Sequence, residues 1–319
     1  MAKGIFVLVA ALVISSVSFG EEPEQVVKGL SVVEAGKMPV VGHAIAVDKN
    51  IKDWVGEAPA EENAAAVNNG EYIWKDATGD DTGNGKYTYP LNKTLKKGAD
   101  LKEFRVTYDK DNLYLLLKTD RPSDWWTGYR MIGIHKEGAT DGMTLLAQGD
   151  KDEYNFDSGT FANLKVSPDL ACQYVVVISS TYKGRIWDSK GKLIARKEDQ
   201  PDDTSGFAIL DSNWNAVEVA IPWSLIGGEP SGQTWKFIVA VGQQDNDIVR
   251  AVEEQASEWH GGGGAANGAN PSIYDLAGAD KATQEKELGS YDAEADNGDP
   301  NGFATIDKSY LTVNFGLMK

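Results

Sequence analysis

The sequence predicts an all-β protein: two packed antiparallel sheets, a β-sandwich, with long glycine-rich loops. Three observations carry this expectation. From Gly42 onward, short β-branched or aromatic runs alternate with turns rich in Gly, Asp, Asn and Pro. No amphipathic helix of real length interrupts them. The connections between runs are long and irregular, as sandwich topologies require.

Taken in order, the predicted strands are His43–Val47, Phe104–Tyr108, Leu113–Thr119, Arg130–Lys136, Gln173–Ser179, Gly184–Trp187, Ala216–Ile221, Phe237–Gly242 and Tyr310–Phe315. Asp109-Lys110-Asp111-Asn112 reads as a hairpin turn between two of them. Trp223–Ile226, just after Pro222, reads as a single helical turn, and Gln284–Leu288 as a short helix. Residues 68–101 and 259–302 read as long polar, Gly-rich loops, and loops of that length usually carry function. Their Trp and Tyr residues argue against disorder. No fixed repeat and no Pro- or Ser-rich linker appears, so 41–319 reads as one domain after a weakly patterned lead-in over 21–40.

Residues 1–20 combine Lys3, an apolar stretch from Ile5 to Ile14, and small residues at Ser18 and Gly20. That is the pattern of a signal peptide. The apolar run is short for a bilayer span, and Glu21 and Glu22 follow at once. The expected location is therefore secreted, cell-surface or periplasmic. Lys and Arg total 31 against 48 Asp and Glu, a net charge of −17. Such a surface repels phosphate backbones and anionic lipid, which argues against a nucleic-acid partner. The single cysteine, Cys172, has no internal disulfide partner, and its apolar strand-like setting predicts a buried, inert thiol.

Three constellations are candidates for function. Asp76, Asp80, Asp81 and Asn84 sit among Gly79, Gly83 and Gly85. Ca2+ takes roughly six to eight oxygens, and glycines let a backbone turn tightly enough to supply them. The spacing is not an EF-hand. A structural Ca2+ site and a solvated acidic turn both fit this pattern. Trp125, Trp126 and Tyr129 form the second group; adjacent Trp residues in a strand face opposite sides, so one of the pair should be exposed or lie in a loop. An exposed aromatic cluster suits the apolar face of a sugar ring, and the same residues could instead close one end of the sandwich. Trp259 and His260, ahead of four glycines, form the third, as ligand-contacting residues or as a rim loop. Trp54, Trp187, Trp214, Trp223 and Trp235 read as core.

Catalysis has little support: there is no G-x-S-x-G and no H-E-x-x-H, and the many acid pairs, Asp202-Asp203 among them, arise readily in so acidic a chain.

Several stretches together resemble a known family. Val47-Asp48 with Ile51-Lys52-Asp53-Trp54 resembles the opening of DOMON domains and family 9 carbohydrate-binding modules. The run from Asp76 to Pro90 resembles the start of the C-terminal domain of glucodextranase, also found appended to amylopullulanases. Trp214–Pro222, Gly242-Gln243-Gln244-Asp245, Glu258–Gly264 with Asn270-Pro271 and Tyr274-Asp275-Leu276, then Gln284 and Ser290-Tyr291-Asp292, are similar to later pieces of that family in the same order. The resemblance implies a non-catalytic β-sandwich that binds polysaccharide or cell-envelope glycan, here without a catalytic barrel. A self-associating envelope protein is the alternative. Some DOMON relatives bind haem through Met, His or Lys; Met131 reads better as core, C-x-x-C-H is absent, and no haem is expected.

Overall fold

The computed structural model of the protein describes residues 27–95, 98–120, 128–146, 162–179, 183–197, 208–212, 215–245, 248–296 and 299–317. The expected signal peptide lies outside these residues, as do Trp125, Trp126, Asp202, Asp203 and Trp214.

The described chain begins with a one-turn helix α1 (Val32–Ala35) and a short strand β1 (Pro39–Val40). Two hairpins follow, β2 (Ala64–Asn68) with β3 (Glu71–Lys75) and β4 (Leu101–Tyr108) with β5 (Asn112–Thr119). Next come β6 (Gly128–Lys136), β7 (Leu145–Leu146), β8 (Leu164–Val166) and β9 (Tyr174–Ile178). The pairs β10 (Gly184–Asp188) with β11 (Leu193–Lys197) and β12 (Ala208–Ser212) with β13 (Ala216–Pro222) are antiparallel neighbours. Strand β14 (Thr234–Asp245) precedes β15 (Ile248–Val249) and β16 (Ile273–Leu276). Helix α2 (Lys281–Leu288), β17 (Ala304–Ile306) and β18 (Leu311–Phe315) complete the order.

One sheet runs β1-β18-β14-β6-β9-β10-β11, with β15 and β16 also pairing with β14. A second runs β12-β13-β5-β4-β3-β2, and a small third runs β17-β8-β7. Pairings between the named strands are antiparallel except β1 with β18 and β17 with β8. Residues in the expected lead-in thus join the fold: β1 pairs with β18, and Leu30 bridges Ala65.

Period-two alternation explains the layers. Phe104, Val106 and Tyr108 of β4 and Leu113, Leu115 and Leu117 of β5 point inward, onto Trp235, Phe237, Val239 and Phe315 of the larger sheet. Cross-sheet rings meet directly, with Phe104 and Phe237 centroids 5.9 Å apart and Tyr108 and Phe315 centroids 5.3 Å apart. The opposite faces are covered too. Tyr114 and Leu116 of β5 pack under Ile45 and Trp54, while Met131, Val175 and Val177 pack beneath the small sheet with Leu164 and Ile306. Burial on both faces is why these strands read as nearly continuous apolar runs. Trp187, Trp223 and Trp235 are buried, as is Trp54. Cys172 is buried and unpaired, and burial pushes its thiol pKa up.

Three expectations change. His43–Val47 is not a strand, because its backbone bonds to side chains instead: His43 N–H donates to Thr107 Oγ1 at 3.2 Å and Ala46 N–H to Asp53 at 2.7 Å. The expected loop 68–101 contains β3, and the expected loop 259–302 contains β16 and all of α2. The predicted hairpin at Asp109 is present. Asp109 Oδ1 accepts from the N–H groups of Asp111 and Asn112, each at 2.8 Å, and Oδ2 accepts from the Tyr114 hydroxyl at 3.0 Å. Asp109→Ala is expected to cost about 1–2 kcal/mol, read as a lower denaturant midpoint with an unchanged slope.

Candidate functional site

Strand β3 leaves the six-stranded sheet at Lys75, and β4 re-enters it at Leu101. The residues between them fold against β16 of the larger sheet at one end of the sandwich. Glycine permits the turn: Gly83 takes φ 55°, its N–H donates to the Tyr274 carbonyl at 2.9 Å, and a Cβ there would lie 2.0 Å from the Tyr87 ring.

This folding brings three carboxylates together. Asp76, Asp80 and Asp275 each place a carboxylate oxygen within 4.8 Å of the others. They are 1%, 4% and 0% exposed. Asp76 Oδ1 accepts from Trp74 Nε1 at 2.7 Å, and Asp275 accepts from the Leu101 N–H at 2.7 Å and its neighbour Leu276 N–H at 2.9 Å. The Leu101 bond ties the two large sheets together. Asp100, also buried, accepts from Lys102 Nζ at 2.7 Å and Gly79 N–H at 3.3 Å. Burial, then the charge of Asp80, raises Asp76 well above the usual carboxylate range. Burial, then Asp76 and Asp80, does the same to Asp275, and burial pushes Asp80 to about 6. Gln284 of α2 completes the frame, donating to the Asp80 carbonyl and accepting from Leu276 N–H, each at 2.7 Å.

Of the acidic residues singled out in the sequence, Asp76 and Asp80 meet and two do not join them. Asp81 accepts the Tyr89 hydroxyl, and the Tyr89 ring stacks on Tyr274 with centroids 4.8 Å apart. Asn84 accepts from Lys86 N–H at 3.1 Å and contacts the Tyr291 hydroxyl at 3.4 Å. Asp275 comes from the other sheet, and local spacing around Asp76 holds no trace of it. Its only signal is its place in the Tyr274-Asp275-Leu276 piece.

The chain beyond Tyr89 backs a second feature. Leu91 and Asn92 N–H groups donate to the carbonyls of Ser257 and Glu258 at 2.8 and 3.1 Å, and Thr88 bridges Gly262. Between these anchors the Trp259 side chain is 46% exposed, and Leu91 is exposed as well. The buried Arg250 holds the Trp259 carbonyl at 2.8 Å and the Gln244 carbonyl at 3.1 Å. His260 Nδ1 lies 2.9 Å from Glu253, and its N–H donates to Ser257 Oγ at 3.0 Å. Gly263, at φ 92°, lets the loop pass Lys86 where a Cβ would lie 2.1 Å from a carbonyl oxygen.

Tyr129, expected at the ligand, is instead buried. It shares the outer face of β6 with Met131, and the layer over that face encloses both. His135 Nδ1 shares a 2.8 Å hydrogen bond with the Ala171 carbonyl.

Two large antiparallel sheets packed face to face, with a smaller third sheet, define a β-sandwich. The family follows from comparison: residues 72–299 match the C-terminal binding module, SLH-like, of glucodextranase, and the chain belongs to that family. No curated protein matches the chain. Among the described residues no helix is long and apolar enough to cross a membrane.

Proposed function

We propose that the protein is a non-catalytic, extracytoplasmic module that binds glucan-like polysaccharide or cell-envelope glycan through exposed aromatic residues. The observation that carries this is Trp259. Its side chain is about half exposed, while Arg250 holds its carbonyl and the 91–92 segment holds the two residues before it. A large apolar ring held out on an ordered frame costs little further ordering when a ligand docks. Its face suits the C–H face of a pyranose, and His260 with Glu253 beside it offers groups for hydroxyls. A neutral glycan meets no repulsion from a chain of net charge −17. The pattern over residues 1–20 supports export.

The test is affinity electrophoresis through gels containing α-glucan, β-glucan or envelope polysaccharide. Retardation by one polymer is expected, weakened about tenfold in Trp259→Ala, as loss of roughly 1.4 kcal/mol of ring contact implies. Trp126→Ala, run in parallel, reports whether the Trp125-Trp126 pair contributes. Free migration through every gel, with assembly that grows with protein concentration, would replace this reading by a self-associating envelope protein.

A further inference from the structure

We propose that Asp76, Asp80 and Asp275 form a buried site for a hard divalent cation, with Ca2+ the best fit, pinning the two large sheets together at the root of the segment that backs Trp259. The argument begins with what the carboxylates lack. Asp76 Oδ2 and Asp80 Oδ1 are buried with no hydrogen-bond partner, although both residues are more than nine-tenths buried. Lys102, the ammonium beside them, is committed to Asp100 at 2.7 Å. Buried anionic oxygens with neither donor nor cation are costly, and three carboxylates with oxygens within 4.8 Å of one another repel. A divalent ion reverses both penalties at once.

The donor chemistry selects the ion. All three side chains offer hard carboxylate oxygens, and no thiolate or imidazole joins them. Ca2+ accepts carboxylates singly or in pairs and tolerates irregular geometry, whereas Mg2+ demands a near-ideal octahedron. The fold supplies a frame built to hold the ligands. Trp74, the Leu101 and Leu276 amides and Gln284 fix two carboxylates and the Asp80 backbone from outside the cluster.

The site also has a mechanical consequence. Asp76 and Asp80 begin the segment whose later residues, Thr88, Leu91 and Asn92, pair with the Trp259 loop. An ion that fixes this root therefore stiffens the proposed glycan-binding loop. That link rests on the binding-module reading; the site itself does not.

The test uses the full chain freed of metal by EDTA and desalted. Tb3+ is titrated with excitation of tryptophan, since Trp74 touches Asp76 at 2.7 Å and is placed to sensitise a bound ion. Saturable emission at one ion per chain, displaced by Ca2+, is expected. It should be lost in Asp80→Asn and in Asp76→Asn, the latter keeping an oxygen for Trp74. Ca2+ at about a thousandfold excess over its Kd should raise the melting temperature of the wild-type chain by roughly 6 °C. The same midpoint in EDTA and in Ca2+, or Tb3+ emission that survives both substitutions, overturns the site. Gels run in EDTA separate the two proposals. Calcium binding without retardation by any polymer sinks the glycan reading alone, and retardation without calcium binding sinks the cation site alone.

Discussion

Arg105→Met is expected to destabilise the fold by about 3–5 kcal/mol, the usual cost of removing one partner from a buried ion pair. Arg105 projects from β4 on the face away from the main core. Its Nη1 donates to Glu71 at 2.8 Å and to the Gly56 carbonyl at 2.7 Å, and its Nε to Glu103 at 2.5 Å. Glu71 is fully buried and also accepts from the Gly56 N–H at 2.9 Å, so the network clamps the segment that carries Trp54 over β5. Methionine keeps most of the apolar stem while removing the charge, so the loss reports electrostatics more than packing. Glu71→Gln in the Arg105→Met background should recover much of the stability, because the buried charge then disappears with its partner. Guanidinium unfolding of the two single variants and the double variant measures this. A loss below about 1 kcal/mol would mean that water reaches Glu71.

The same network sets part of the acid limb of stability. Burial alone would raise Glu103, but Arg105 and Lys118 outweigh it and hold its pKa below the ordinary value. A lowered carboxylate contributes stability above its unfolded-state pKa, and that contribution is lost as pH falls through the folded-state pKa. The Arg105→Met variant should therefore lose less stability than the wild type across that acid range.

Which parts of this molecule were legible in the sequence follows from where each signal lies. Strands such as Leu113–Thr119 and Arg130–Lys136 announce themselves because one continuous run supplies both buried faces. The β2–β3 hairpin is hidden on one side by Ala64-Ala65-Ala66, which has weak strand preference, although Asn69 and Gly70 at φ 49° and 82° form the favoured two-residue turn. His43–Val47 alternates like a strand yet finds side-chain partners rather than a ladder. The acidic site was half legible. Asp76 and Asp80 are close in sequence and flagged by glycines, whereas Asp275 arrives through sheet pairing, which no local pattern encodes. Tyr129 misled because β6 is covered on both faces, so its alternation does not separate inside from outside.

Trp235→Ala should likewise cost about 3–5 kcal/mol, and it separates the core from the proposed binding surface. Trp235 is fully buried between the sheets, its ring set edge-on to Phe315 at 5.2 Å and to Trp223 at 6.1 Å. Its Nε1 donates to Gln233 at 3.0 Å, and Lys136 Nζ sits 4.4 Å from its ring centroid. Truncation forfeits these contacts and opens a cavity that the packed sheets cannot readily close. Below its unfolding midpoint the variant should still be retarded by glycan as the wild type is, because Trp235 is fully buried and its ring partners among the described residues, Phe315 and Trp223, are buried too. Trp259→Ala should do the reverse, leaving stability within about 0.5 kcal/mol while weakening retardation. Lys136 adds a check by pH. Burial pulls its pKa down to about 8, so the unfolded chain binds the proton more tightly. Its contribution to stability therefore rises with pH from about 8 toward the ordinary lysine value. Water admitted by Trp235→Ala should flatten that rise, and a slope identical to the wild type would mean that burial by the indole is not what depresses Lys136.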